Sequence, residues 1–542
     1  MLGLMQDTPL TTNWIFDRGV RYYGTRTVVT SSASGLDRRT FADVAGETRR
    51  IAAALEHLGL SAGGRVGTFA WNTARHLSLY FAIPGTGRVM HTGNIRYFPE
   101  QLVYTVNHAE DEAVFVDRSL LPLFARYLPQ LETVKHVIVM DDGADAEVPD
   151  DPRILHYDEL LSGVEELDFS DRVSDERQAA ALCYTSGTTG NPKGVLYSHR
   201  STWLHSNASL TVGVFGLDDS DKVLPVVPMF HANAWGLPYA AFLAGASLVM
   251  PGPDLTPPAL LKLMESEQVT VAAGVPTIWM GMVPLLDQHD LSHLRVIICG
   301  GSAVPKSLSE AWREKIGLPI RQAWGMTEMS PLGSVCTLRS EFADLPEDEK
   351  ADVRATAGLA PPGVEMRIVD SATRAELPWD DEASGELECR GPWLASQYYR
   401  TDEPGEQFAP DGWLRTGDVA SISSLGYLRL VDRTKDLVKS GGEWISSVDL
   451  ENAIMGHPKV AEAAVIAIAH PKWSERPMAC VVVKEGQTLS REEVLDFLAE
   501  RLTKWQLPDD VVFIDEIPKT SVGKFSKKTL RDRFADHVLP TA

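Results

Sequence analysis

Residues 184–194 read YTSGTTGNPKG. These eleven positions hold three glycines, four serines or threonines and one lysine. Glycines let successive backbone N–H groups turn toward an anion, and hydroxyls and an ammonium add further donors, so the stretch reads as a phosphate loop. It is not the Walker loop G-x-x-x-x-G-K-S/T. Counted from Gly187, the sixth position is Pro192 rather than glycine, and Lys193 is followed by Gly194 rather than Ser or Thr. The competing reading is a plain surface turn.

Working outward, strand-like and helix-like segments alternate through most of the chain, which predicts α/β layers. Residues 41–60 have helical periodicity and lead into the strand-like RVGTFAW. Apolar runs of strand length follow at 136–140, 222–227, 247–250, 269–275 and 295–300, several of them ending in Gly or Pro. In open α/β sheets, ligands sit beyond such strand ends. The acidic stretch 141–151 reads as a solvated connector. A boundary falls near Asp432, where the strand-like GYLRLVDR gives way to a polar segment, a glycine pair and an amphipathic helix. The expected division is a large domain over 1–431, a hinge over 432–437 and a small α+β domain over 438–542.

A chain of 542 residues exceeds one hydrophobic core, and 44% hydrophobic with 23% charged residues is ordinary globular composition. The formal charge of −23 argues against a nucleic-acid partner, though one local basic patch suffices for a small anion. Cys183, Cys299, Cys336, Cys389 and Cys480 show no metal-ligand spacing, which predicts a reduced, intracellular protein. The opening MLGLMQDTPL has no basic region followed by a long apolar run, so no signal peptide is expected. The apolar stretch 239–250 is too short to span a bilayer. A cytoplasmic protein is expected.

Further stretches join the opening loop in order: PMFHANAWG (228–236), CGGSAVP (299–305), RQAWGMTEMSP (321–331), DGWLRTGDVA (411–420), DRTKDLVKSGGEWIS (432–446) and PKTSVGKFSK (518–527). Their order, spacing and content resemble the adenylate-forming superfamily of acyl-CoA synthetases, luciferases and peptide-synthetase adenylation domains, over nearly the whole chain. FHANAWGLPY and VKSGGEWISSVDLENAIMGHP look most like medium- and long-chain fatty acyl-CoA ligases. The resemblance implies an α/β fold with a large N-terminal domain and a small mobile C-terminal one. It also implies two-step chemistry on a small carboxylic acid. The acid attacks the α-phosphorus of ATP, with Mg²⁺ on the phosphates, and CoA then takes the acyl group. A homodimer is a further family-based expectation.

The resemblance assigns roles residue by residue. Thr185, Ser186, Gly187, Thr188, Thr189 and Gly190 would cradle the β and γ phosphates, with Lys193 at the rim. Glu328 matches the metal-linked carboxylate, with Thr185 beside it. Adenine would lie against Trp324, where the family usually carries tyrosine, with Gly301, Ser302 and Ala303 as the opposite wall. Gln322 and Ala323 would add edge contacts, and Gly325, Met326 and Thr327 complete the motif. Asp418 matches the acid that takes both ribose hydroxyls, a task suited to a carboxylate, and Arg433 also reaches the ribose. Lys524 is the principal catalytic candidate, an ammonium between the attacking carboxylate and the α-phosphate. Lys519, Lys527 and Lys528 are expected to face solvent. Lys435 matches the hinge, after whose rotation Lys439, Gly441, Gly442, Glu443 and Trp444 would face the site and admit pantetheine. His231 would position the acyl phosphate, in a place where amino-acid-activating relatives carry Asp. Trp235 would gate an acyl tunnel, and Val275, Pro276 and Thr277 would line it, along with Gly325. Arg88, Gly93 and Tyr97 depart from close relatives, with pocket length and dimer packing more at stake than catalysis.

Other readings keep the same motifs. One is a ligase for a short, aryl or sulfur-containing acid, and another an adenylating enzyme that loads a separate carrier protein. FGLDDSDK (215–222) is a poor carrier site, because Asp221 follows Ser220 where an apolar residue belongs. A luciferase-like oxidation shares the first step. A non-catalytic nucleotide sensor would not need Lys524, Glu328 and a hinge together.

Overall fold

The computed structural model describes residues 1, 3–185, 191–441, 443–520 and 524–542. Their strands fall into four sheets. The first has seven strands in the spatial order Ile154–His156, His136–Met140, Asp111–Asp117, Arg65–Phe69, Val89–Thr92, Ala179–Tyr184 and Gly194–Ser198. It is parallel until its last pair, which is antiparallel. That last pair is a hairpin whose connection carries the glycine-rich stretch. The second sheet has eight strands, with parallel Ser247–Met250, Lys222–Pro225, Val271–Gly274, Val296–Cys299 and Arg321–Gly325 in its middle. Ser247–Met250, Val271–Gly274 and Val296–Cys299 are buried throughout because both faces are covered by other layers.

Helices between the sheets seal the interface. Thr40 and Asp43 form a capping box that starts the helix Phe41–His57, and Phe41, Val44, Thr48, Ile51 and Leu55 are buried on it. Phe41 stacks on Phe242 with centroids 3.9 Å apart, joining this helix to Leu237–Ala244. The strand expected at 222–227 ends at Pro225. Proline donates no N–H, and Val226 and Val227 both donate to the Ala273 carbonyl (2.9 and 3.1 Å), which ends the regular ladder.

A third, antiparallel sheet runs Glu365–Val369, Ser384–Arg390, Leu414–Ile422 and Leu428–Arg433. The fourth begins directly after it, with Val438–Ser440 and Glu443–Ile445 beside Ser474–Val483, Val460–His470 and Asp510–Phe513. The junction is tied by charge. Ser447 donates its backbone N–H to Asp432 Oδ2 at 2.6 Å, and its hydroxyl bonds the same oxygen. Lys527 donates to Ser447 Oγ at 2.6 Å and pairs with Glu451 at 2.8 Å, while Arg531 pairs with Asp436 at 2.6 Å.

This corrects one expectation. Lys527 does not face solvent: its side chain is only 12% exposed, because Glu451 and Asp432 supply the buried counter-charges it needs. Lys519 and Lys528 pair at the surface with Glu462 and Asp532. Removing Lys527 leaves two acids without their cation. Lys527→Ala is expected to destabilise the C-terminal unit by about 3–5 kcal/mol. Hydrogen exchange over residues 447–470 reads this as faster opening there with the seven-stranded sheet unchanged.

Candidate active site

Parallel strands of the eight-stranded sheet end on three of the motifs and on the stretch at 275–277. Lys222–Pro225 leads to His231, Val271–Gly274 to Val275 and Pro276, Val296–Cys299 to Gly301, Ser302 and Ala303, and Arg321–Gly325 to Met326, Thr327 and Glu328. The site is therefore an edge of converging loops rather than a feature of one segment. Backbone approach is close throughout. A Cβ at Gly300 would stand 2.7 Å from the Ala323 carbonyl oxygen, and one at Gly325 would stand 1.7 Å from that of Pro331. Gln322 is buried, and its Oε1 accepts from Val304 N–H at 3.2 Å, holding the Gly301–Ala303 turn against the next strand.

Lys524 arrives from the C-terminal unit. Gly301 adopts φ +89°, and a Cβ there would lie 3.2 Å from Lys524 Cε and 3.4 Å from Val275 Cγ1. The lysine thus passes over a floor that a side chain would obstruct. Burial, and then the nearby Arg433 charge, lower its pKa to about 8 against the pull of Asp418 and Glu328. Asp418 is buried. Its Oδ1 takes Arg433 Nε at 2.7 Å and its Oδ2 takes the Trp324 indole N–H at 3.1 Å. Burial raises the Asp418 pKa, opposed first by Arg433.

Residues 186–190 lie outside the described residues, but the base of their loop is defined. Thr185 N–H donates to the Lys193 carbonyl at 2.9 Å, and Lys193 N–H returns to Thr185 Oγ1 at 3.1 Å. Tyr97 also donates to the Thr185 carbonyl at 2.9 Å. The departure at Tyr97 therefore bears on the loop itself. Arg88 is buried against the Leu60 carbonyl and Glu56, and a Cβ at Gly93 would meet the Thr68 carbonyl oxygen at 3.0 Å.

Sequence reasoning missed Tyr398. Its hydroxyl donates to Glu328 Oε1 at 2.6 Å, and the Lys193 ammonium lies 4.6 Å from its ring centroid. It links the loop lysine to the buried acid, yet it stands in SQYYR with no motif spacing to signal it. Burial, then Glu328, raises its pKa and keeps it a donor. Among the described residues only Tyr398 bonds the Glu328 carboxylate, which leaves its second oxygen. Among the described residues no cluster of three or more His, Cys, Asp or Glu could hold a metal by itself. One buried carboxylate with a free oxygen fits Mg²⁺ that is held mostly by phosphate oxygens.

The FHANAWG segment folds as a left-handed turn. Ala232, Asn233, Ala234 and Trp235 have φ between +43° and +55°, and Gly236 follows at +72°. Each non-glycine residue there costs roughly 1–2 kcal/mol. Such strain persists where packing over-determines it, and here Cys183 Sγ donates to Asn233 Oδ1 at 3.2 Å while Ala234 is fully buried. The turn lays Trp235 over Gly300, with a Cβ there 3.3 Å from indole Cη2. Burial, then Lys524, lowers the His231 pKa to about 3, so its imidazole is neutral near pH 7.

One candidate group is not brought to the site. Lys439 and Trp444 are exposed on the C-terminal unit, where the ammonium lies 5.3 Å from the indole centroid. Gly441 packs under Trp473, whose ring a Cβ would meet at 2.7 Å. Gly442 and the side chain of Glu443 lie outside the described residues, and Lys435 is exposed. The Cys residues are buried and free, and no described helix is long and apolar enough to cross a membrane.

Comparison with known proteins agrees with this geometry. The family model "AMP-binding enzyme" matches residues 16–399, and "AMP-binding enzyme C-terminal domain" matches 449–524, ending on Lys524. The chain belongs to the AMP-binding enzyme family and is an adenylate-forming ligase. It is 46% identical to a 3-methylmercaptopropionyl-CoA ligase of Ruegeria lacuscaerulensis over 99% of both chains. It is also 46% identical to a long-chain-fatty-acid–CoA ligase of Thermus thermophilus, over 97% of this chain and 96% of that one. A medium-chain-fatty-acid–CoA ligase of Ectopseudomonas oleovorans is 42% identical over 99% and 98%. Among solved structures, the anthranilate CoA ligase AuaEII in complex with anthranoyl-AMP superposes with a TM-score of 0.86 at 25% identity, over 98% of this chain and 100% of that one. ATP-bound MatB from Rhodopseudomonas palustris gives 0.83 at 27%, over 97% and 99%.

The packed setting of Lys524 has a direct readout. In competitive acylation with acetic anhydride followed by mass spectrometry, Lys524 is expected to titrate near pH 8. A Lys524 midpoint near that of exposed lysines would contradict the packing against Gly301.

Proposed function

We propose that this protein activates a fatty acid of medium to long chain with ATP and transfers the acyl group to CoA. The observation that carries the proposal is Lys524 lying over Gly301, within electrostatic reach of Asp418, Glu328 and His231. A site that neutralises both a carboxylate and a triphosphate needs preorganised positive charge at the point of attack. In step one the acid's oxygen bonds to the α-phosphorus and the bond to pyrophosphate breaks. Lys524 spans the two anions. Thr185 to Gly190 and Lys193 hold the departing phosphates. Asp418 and Arg433 hold the ribose, and adenine lies between Trp324 and the turn Gly301, Ser302, Ala303. Glu328, positioned by Tyr398, and Thr185 would hold Mg²⁺, which supplies charge neutralisation on the phosphates.

His231, neutral, can orient the acyl phosphate by a hydrogen bond but cannot add charge. Trp235 gates the acyl entrance beside Val275 and Pro276. In step two the CoA sulfur bonds to the acyl carbon, the bond to AMP breaks, and the thiol proton leaves. The segment 438–542 turns about 432–437 at Lys435 relative to 1–431. That turn withdraws Lys524 and brings Lys439, Gly441, Gly442, Glu443 and Trp444 to the site. We place the enzyme in the cytoplasm as a homodimer.

A second reading has a specific observation behind it. Relatives named for a methylmercapto acid match this chain at 46% and 44% identity, level with those named for fatty acids. A panel of short, medium, long, aryl and methylthio acids with ATP, Mg²⁺ and CoA separates the two. Peak acyl-CoA formation at medium or long chains is the expected result. A peak at methylthiopropionate would replace the fatty-acid reading, and pyrophosphate without acyl-CoA would replace CoA as acceptor.

Lys524→Ala is expected to lower adenylation by about 10²-fold or more with ATP binding retained, as for the loss of a group that stabilises transition-state charge. Pyrophosphate release at full rate would overturn the assignment. In the free enzyme the lysine loses its charge above about pH 8. The kcat/KM for pyrophosphate release is therefore expected to fall as pH rises through that value, with Lys524→Arg flat over the same limb. Tyr398→Phe is expected to raise the KM for ATP about tenfold, leaving the KM for the acid within about twofold.

A further inference from the structure

The ribose subsite contains a donor that no motif assigns. Trp324 stands on the strand Arg321–Gly325 and is 9% exposed. A Cβ at Gly333 would lie 2.6 Å from its Cζ3 and 2.9 Å from Met329 Sδ, so the benzo edge is wedged where only glycine leaves room. That wedge fixes the other edge of the ring, whose N–H meets Asp418 Oδ2 at 3.1 Å. Arg433 Nε meets the other oxygen at 2.7 Å. Further support behind the carboxylate comes from the Thr416 hydroxyl, which accepts from Asp418 N–H at 3.1 Å, and from Thr416 O, which accepts from Arg433 at 3.3 Å.

A carboxylate offers about four lone-pair sites, two on each oxygen. Among the described residues two are filled, one per oxygen, by donors on different elements. One remains on each. We infer that Trp324 is a positioning residue for nucleotide ribose: its indole N–H sets the Asp418 carboxylate so that each oxygen keeps one acceptor site for one ribose hydroxyl. This deepens the function proposed above and rests on its placing of ribose at Asp418. A phenylalanine in the same slot offers a flat ring and no donor there. The tryptophan thus does more than supply a flat wall.

Equilibrium binding tests this without the reaction. Calorimetry with AMP, 2′-deoxy-AMP and 3′-deoxy-AMP on the full-length protein is expected to show that each missing hydroxyl weakens binding, by about tenfold for a bond to a charged acceptor. In Trp324→Phe, checked for its fold by circular dichroism, discrimination against at least one deoxynucleotide is expected to fall by about fivefold or more. Trp324→Leu, which also lacks the N–H, makes the same comparison should the phenylalanine variant fold poorly. Equal loss of affinity for all three nucleotides, with both ratios kept, would reduce Trp324 to a wall and overturn the inference. So would a wild type that discriminates against only one deoxynucleotide, or that binds no AMP. Discrimination as expected, with no acid activated in the panel, would fail the ligase reading and leave this inference standing.

Discussion

An ammonium carried near the end of the chain lies across a floor that glycine keeps open. Gly301 has a left-handed backbone and no side chain, and Lys524 fills the space a Cβ would invade. The contact joins the fourth sheet to the end of a strand in the second. It depends on both. The strand Val296–Cys299 must end in a turn that exposes its backbone, and the C-terminal unit must be held at the right angle. The buried ties at Asp432, Ser447, Lys527 and Glu451 lie where the chain passes between those two bodies.

The cost of this arrangement is electrostatic. Burial acts on Lys524 and Asp418, and the half-exposed Arg433 beside them lowers the pKa of the lysine and holds down that of the aspartate. Burial alone would favour a neutral lysine and a protonated aspartate. The opposite charges counter that trend, and an incoming triphosphate and carboxylate would counter it further for the lysine. The left-handed turn Ala232–Trp235 is a second cost, borne by local packing and confined to the segment that carries His231 and Trp235.

Tyr398 and Trp324 show how side chains far apart in the chain hold the two buried acids Glu328 and Asp418. Each presents one polar edge to a buried carboxylate and keeps its ring in packing. Tyr398 supports Glu328 and lies under Lys193, whereas Trp324 supports Asp418 and rests against Gly333. Among the described residues these ties set how each carboxylate lies, so orientation rather than mere presence of the carboxylate is what the tertiary structure supplies.

Much of this protein is legible in its amino-acid order alone. Alternating apolar runs point to the α/β class, because strand and helix periods differ. The ordered motifs point to an adenylate-forming enzyme, because a glycine-rich turn, a ribose acid and a late lysine stand together in one chain. The end of the strand Leu428–Arg433 is visible as a change to a polar segment. Other facts have no local signature. Tyr398 lies in an ordinary loop, and only folding brings its hydroxyl to Glu328. Lys527 looks like any lysine in a basic tail, yet it is buried, because Glu451 and Asp432 come from elsewhere in the chain to meet it. The sequence by itself determined the kind of groups available and their order. Tertiary structure decided which of them share a low-dielectric space, and hence which charges shift, since that depends on distances between segments far apart in the chain.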